Sequence, residues 1–447
     1  MASGKIIIGI LLIGFAAEPF VLQSSGVQPT ATTAPDNCRG SPLPRPVPDN
    51  TSKPVVGTVY HSQSNESVVR VEYTARADIE NNLTISLRSG STLLSAQGLE
   101  QTDTYQFETE IEEGETFSIR YAVSDLRNLS GISYTSGENW IIAPTPKHQG
   151  PGVGLSPAES GFIGLHTLYL GNYTTHSSKA GCQTITMILP DAAGIDPEPR
   201  LEMLAGAARS LSTGKTYTDV YVFASPRSLG KRDGFVPLNE NEIVLSANSP
   251  IQSPTNIWIH EYVHTRQVDY KGDNFGWFNE ASATYYAARL SLEQGLISRA
   301  EYDAQLASFA TYAPNRSLAS AQTADVAYQW GAVVLARLDA ALIEEGHTLM
   351  ELFLEWNRYD GSSFSDALSQ VENKGVDQNA LNQTQATVLN NTRPDPSPAQ
   401  ESRWQWVPDI VLGMYAEYTN CLRGLIVGLG IGLFSWGLKQ YWNKQES

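Results

Sequence analysis

Two histidines and a glutamate stand in the pattern His260-Glu261-Tyr262-Val263-His264. On a helix, residues four apart project from one face, one turn apart. Two neutral imidazoles placed this way can bind a single Zn²⁺. Glu261, offset around the helix, can reach the metal's open position as a general base. The helix has a start signal: Ser253 as N-cap and Pro254 at the first helical position, whose N–H would be unpaired anyway. A solvated helix carrying two histidines would show the same five residues, so the next segment matters. Trp277-Phe278-Asn279-Glu280 opens a second helix after a turn between Lys271 and Gly276. Glu280, one short loop beyond the histidine pair, lies where a third zinc ligand would lie. The helix dipole alone also favours an acid in a first turn.

Taken together with Tyr328-Gln-Trp-Gly331-Ala-Val-Val-Leu-Ala-Arg-Leu-Asp339, these blocks resemble the gluzincin metallopeptidases, specifically the aminopeptidase-N-like and glycyl-aminopeptidase-like families. The likeness covers roughly residues 240 to 345, less than a third of the chain. It implies a peptidase MA-like, thermolysin-like domain in which His260, His264 and Glu280 hold Zn²⁺. It also implies that Tyr328 hydrogen-bonds the oxyanion of the reacting carbonyl; read without the likeness, Tyr328 is a packing residue. Thr284, one turn after Glu280, is a candidate for orienting a ligand. Two departures stand out. The spacing from His264 to Glu280 is a few residues short. The Gly-x-Met-Glu-Asn element that holds a substrate's free amino terminus has no recognisable match, although Leu238-Asn239-Glu240-Asn241 lies in a comparable place.

The implied chemistry is hydrolysis of a peptide bond in a peptide or protein substrate. Zinc lowers the pKa of its water and polarises the carbonyl, while Glu261 moves a proton from the water to the leaving amine. The rival reading is a catalytically inactive, glycosylated surface protein that uses the metallopeptidase fold for binding.

Composition narrows the classes. The 447 residues carry a net charge of −17, and only ten of the thirty basic residues are Lys. No basic cluster exists to neutralise phosphates, so no nucleic-acid partner is expected. The three cysteines, Cys38, Cys182 and Cys421, are too few for a disulfide framework and none lies near the proposed metal ligands. A bridge between Cys38 and Cys182 would need an oxidising compartment. The oligomeric state is not readable.

The elements that must position the site read as a multidomain α+β chain. Residues 1–22 have the form of a signal peptide or N-terminal anchor, with Lys5 ahead of an apolar run. Residues 23–53 form a Pro/Ser/Thr-rich linker. Alternating apolar residues across 54–143 predict an N-terminal antiparallel β domain, sandwich-like, with strands such as Val69-Arg-Val71-Glu-Tyr73. Pro144 to Gly154 is a Pro/Gly-rich break, and 155–390 is the gluzincin-like catalytic domain, a mixed sheet followed by helices. Its strand Glu242–Ser246 is expected to edge the cleft and pair with substrate backbone. A second linker spans 391–406.

Residues 423–442 then read as a transmembrane helix, with Gly424 to Leu438 uncharged and flanked by Arg423 and Lys439. Lysines beyond this span place the C-terminus inside and the bulk of the chain outside, at the cell membrane. Sequons at Asn50, Asn65, Asn82, Asn128, Asn172, Asn315, Asn382 and Asn390 accord with a glycoprotein.

Overall fold

A computed structural model describes residues 53–62, 67–88, 91–123, 134–229, 233–237, 240–268, 276–311, 318, 326–344, 346–358, 368–369 and 382. The expected leader or anchor at 1–22, nearly all of the 23–53 linker, the 391–406 linker and the 423–442 span lie outside these residues.

The N-terminal part is built from strands β1 (Val55–His61), β2 (Val68–Ala75), β3 (Ile79–Ser86), β4 (Ser91–Gln97), β5 (Glu100–Asp103), β6 (Gln106–Ile111) and β7 (Thr116–Val123). It continues through β8 (Thr135–Gly137), β9 (Trp140–Pro144), β10 (Lys147–Gln149), β11 (Val153–Pro157), β12 (Gly161–Ile163) and β13 (Thr167–Leu170). These strands form three sheets, ordered β11-β1-β2-β7-β4, β10-β3-β6-β5 and β12-β13-β9-β8. Alternation explains them. In β2 and β7 every second side chain turns inward, so Val71 faces Ile119 and Tyr73 stacks on Phe117 at 5.0 Å.

The chain then alternates strands and helices: β14 (Tyr173–Ala180), β15 (Gln183–Pro190), α1 (Glu198–Ser210), β16 (Asp219–Ser225), β17 (Gly234–Phe235), β18 (Glu242–Ser246). Helices follow: α2 (Ile257–His264), α3 (Trp277–Glu293), α4 (Arg299–Ala310), a π-turn at Val326–Trp330 leading into α5 (Gly331–Glu344), and α6 (Leu349–Arg358). The sheet order is β14-β15-β16-β18-β17, with β15, β16 and β18 mutually parallel. Parallel strands are covered on both faces, which is why β16 reads as an unbroken apolar run. Val220, Val222, Ile243 and Leu245 face the helices. Tyr221, Phe223, Val244 and Phe235 face the N-terminal strands and share their core.

Three expectations change. The Pro/Gly-rich stretch after Pro144 is not a break: β10 returns to pair with β3, and β11 lies parallel to β1, so the N-terminal β assembly runs on to Leu170. Pro and Gly here mark short strands and the turns between them. That parallel pair also means the assembly is not purely antiparallel. Finally, β18 is not the edge strand. The two-residue β17 pairs antiparallel to it and forms the edge.

Val326–Glu344 is long and apolar enough to cross a membrane, but 61% of its apolar window is buried inside the fold. Cys182, at the β14–β15 turn, is disulfide-bonded, and its partner lies outside the described residues.

One polar contact pins the shared sheet to the β assembly. The fully buried Glu242 carboxylate accepts the backbone N–H groups of Leu165, His166 and Thr167. Burial raises this carboxyl from its ordinary 4.5 to about 7, against the opposing effect of those N–H donors. Its folded pKa therefore lies above the unfolded one. The stability it contributes is complete below about 4.5 and is lost as pH rises through about 7. Glu242→Gln removes this titration and turns an NH₂ toward backbone N–H groups. In urea unfolding the variant should be ~1–3 kcal/mol less stable at acidic pH. The gap should narrow toward alkaline pH; a widening gap would contradict the assignment.

Candidate metal centre

Helix α2 begins at Asn256, not Ser253. The Asn256 side chain accepts from Trp258 N at 3.1 Å and Ile259 N at 3.3 Å, satisfying two of the helix's orphan donors. Ser253 instead accepts from Thr255 N at 3.2 Å, a turn inside the preceding loop. The helix is eight residues long, and Trp258, Ile259, Tyr262 and Val263 are fully buried. That apolar anchorage fixes the direction in which His260 and His264 project. Beyond His264 the chain turns, and the Arg266 guanidinium donates to Ala208 O and Leu211 O, both at 3.0 Å. It thereby satisfies carbonyls at the end of α1 and ties that helix to the end of α2.

Helix α3 supplies Glu280 from its first turn. Its Oε2 lies 3.3 Å from His260 Nε2 and 3.3 Å from His264 Nε2. The two Nε2 atoms are 3.2 Å apart. All three ligand atoms fall within 4.8 Å of one another, the one such group found among the described residues. His260 and His264 are 6% and 7% exposed, so water screens this cluster poorly. Burial works against charge on His264, yet the Glu280 carboxylate outweighs it and lifts the imidazole to about 9. Burial likewise works against the Glu280 carboxylate, and the two imidazoles more than offset it, holding the group well below the usual carboxylate range. The cluster thus calls for a positive charge at its centre. The donor set fits zinc: two imidazole nitrogens and one carboxylate oxygen, with a coordination position left for water.

Tyr328 lies in the π-turn before α5. Its ring is parallel to that of His260, centroids 5.5 Å apart and 4° between planes. A close helix crossing puts it there. At Gly331 a Cβ would come 2.6 Å from Ala281 Cβ, so only glycine lets α5 approach α3 this closely.

Glu261 is 4% exposed and lies on the same helix, against the edge strand β17. A Cβ at Gly234 would stand 2.7 Å from Glu261 Cγ and 3.0 Å from its Oε1. The sequence reading had no signal for Gly234, because Asp-Gly reads as a turn. It also missed Gln267, whose Oε1 lies 2.7 Å from His264 Nδ1.

Two weaker candidates gain no support from the geometry. Thr284 is buried, and among the described residues its Oγ1 meets no hydrogen-bond partner. Of the Leu238–Asn241 element, Glu240 accepts from Tyr217 Oη at 2.9 Å and Asn241 Nδ2 donates to Asp219 O at 2.9 Å. Both are engaged at the starting ends of β16 and β18, whereas Gly234 pairs with Leu245 near the other end of β18.

The fold is that of the gluzincin metallopeptidases. An aminopeptidase N family protein from Idiomarina loihiensis superposes with a TM-score of 0.50 at 15% identity, over 70% of this chain and 75% of that one. An M1 zinc metallopeptidase variant from Deinococcus radiodurans, bound to a Tyr-Ser-Ala substrate, gives a TM-score of 0.49 at 15% identity, over 76% and 94% of the two chains. No sequence-family profile and no curated protein matches the chain.

Gly234→Ala crowds Glu261 without touching a ligand atom. It should keep the wild-type metal affinity in chelator competition and lose ~1–3 kcal/mol of stability in thermal unfolding. A variant as stable as wild type would show that β17 is not held against Glu261.

Proposed function

We propose that this chain is a zinc metallopeptidase, anchored to the cell membrane with its bulk outside, that hydrolyses peptide bonds. The observation that carries the reading is the convergence of His260, His264 and Glu280 on one point, with Glu261 beside them on the same helix. Two helices bring three ligands together, one short of zinc's usual four, which is the ligand count of a catalytic rather than a structural zinc site. Bound zinc would supply an acidified water and polarise the scissile carbonyl.

The chain's own residues account for the rest. Glu261, on the metal helix and walled by Gly234, accepts the water's proton and returns it to the leaving amine. Tyr328, held beside His260, donates its phenol hydrogen to the carbonyl oxygen as charge builds there. The outer edge of β17 offers backbone groups to an extended substrate strand, which gives affinity without strong side-chain selectivity.

Three features support the location. Asn82 and Asn172, both in sequons, are exposed. Cys182 is disulfide-bonded, as suits an oxidising compartment. The apolar runs at 1–22 and 423–442 have the composition of a leader or anchor and a span.

The test is turnover of a peptide library by the zinc-loaded chain beside two variants. Glu261→Gln should keep zinc and lower turnover about 10²–10⁴-fold. Tyr328→Phe should lower kcat about 10²–10³-fold with KM little changed. Undiminished hydrolysis by Glu261→Gln would refute the assigned base. A zinc-loaded wild type that cleaves nothing would leave the partner-binding reading.

A further inference from the structure

Gln267 is fully buried just past the end of the metal helix, and the chemistry above gives it no task. Its side chain touches both ligand-bearing helices. Oε1 lies 2.7 Å from His264 Nδ1. Nε2 donates to Asn279 O at 2.7 Å and to Ser282 Oγ at 2.8 Å, both in the first turns of α3, on either side of Glu280. Ser282 Oγ in turn donates to Phe278 O at 2.7 Å, so its hydrogen is spent and it meets Gln267 as an acceptor.

The direction of every bond follows from the backbone. A carbonyl oxygen only accepts, so Asn279 O demands the NH₂ end of the Gln267 amide. The oxygen end is then turned to His264, and an amide oxygen also only accepts. His264 Nδ1 must therefore carry the proton. In the neutral ring this leaves the lone pair on Nε2, the atom that faces Glu280 and His260.

We propose that Gln267 is a positioning residue that makes His264 a metal ligand. It selects the tautomer with Nε2 free, holds the ring in the plane that aims this atom at the centre, and locks α2 to the turn of α3 that carries Glu280. The carbonyl of Asn279 directly, and that of Phe278 through Ser282, thus set by way of Gln267 which nitrogen of a histidine on another helix is available. The proposal rests on the metal-centre reading and concerns a contact 2.7 Å behind the ligand rather than the ligand itself. Partners of this kind orient metal-bound histidines and raise their basicity.

The experiment compares the full chain with Gln267→Met and Gln267→Glu. Zinc affinity is read by chelator competition, geometry by the visible absorption of the Co²⁺-substituted protein, and stability by thermal unfolding. Methionine keeps the length and loses both polar functions; zinc affinity should fall about 10–100-fold and the cobalt spectrum should change. Glutamate keeps the acceptor for Nδ1–H and loses the donors to α3. It should recover most of the zinc affinity lost in Gln267→Met while remaining less stable than wild type. Ser282→Ala leaves Asn279 O to fix the amide and should lower stability with zinc affinity unchanged.

Equal zinc affinity in Gln267→Met and wild type would overturn the proposal. So would affinities that follow stability alone, with Gln267→Glu as weak as Gln267→Met. If Gln267→Met does not fold, Gln267→Glu still decides, since zinc binding weakened about 10–100-fold in that variant contradicts an acceptor role. A wild type that takes up no zinc would overturn the metal centre itself, and this proposal with it.

Discussion

Two imidazole nitrogens and a carboxylate oxygen, brought within 4.8 Å of one another and largely shut off from water, are the constraint on which the rest depends. Lone pairs do not gather in a weakly screened place without a positive charge among them. In the metal-free chain that charge is a proton, which is why His264 is lifted to about 9 while Glu280 is held down. A divalent ion answers the same demand more fully. The surrounding helices are built to hold the three atoms at this separation against their mutual cost. Trp258, Ile259, Tyr262 and Val263 anchor α2, Arg266 fastens its end to α1, and Gln267 fastens it to α3.

The parallel sheet carries this arrangement. Its helix-side face supports α2, and its other face is the floor of the N-terminal β assembly, with Phe162 between Tyr221 and Phe223. The two parts therefore share one layer of apolar side chains rather than meeting at a polar seam. Tyr134, just ahead of β8, packs on Phe235 of β17. The edge strand beside Glu261 is thus backed by the N-terminal strands, and anything that loosens that packing reaches Glu261.

Sequence exposed the parts of the site that are local. His260, Glu261 and His264 sit on one turn of helix, so spacing alone states their geometry. Glu280 was expected from a second short block and Tyr328 only from the family likeness; Glu280 stands beside the two histidines and the Tyr328 ring lies parallel to that of His260. The alternation in β2 and β7 gave the first strands directly. What stayed hidden depends on distant partners. Gln267 has meaning only against Asn279 and Ser282, and Gly234 only against Glu261. A two-residue edge strand is too short to show a period, so β18 was taken for the edge. β10 and β11 were hidden by the prolines and glycines in and around them, Pro146, Gly150, Pro151, Gly152 and Gly154, because pairing with β3 and β1 closes across most of the N-terminal assembly. The N-cap was misplaced by three residues because Ser253-Pro254 is a sound start signal that Asn256, with two backbone donors, outcompetes.

The most direct test of the account is the zinc content of the purified chain, wild type beside Glu280→Ala, after exposure to metal and removal of excess. The account predicts one zinc per wild-type chain and its loss, or much weaker retention, in the variant. A wild type that holds no zinc, or a variant that holds it equally well, would contradict the claim that His260, His264 and Glu280 together form the centre.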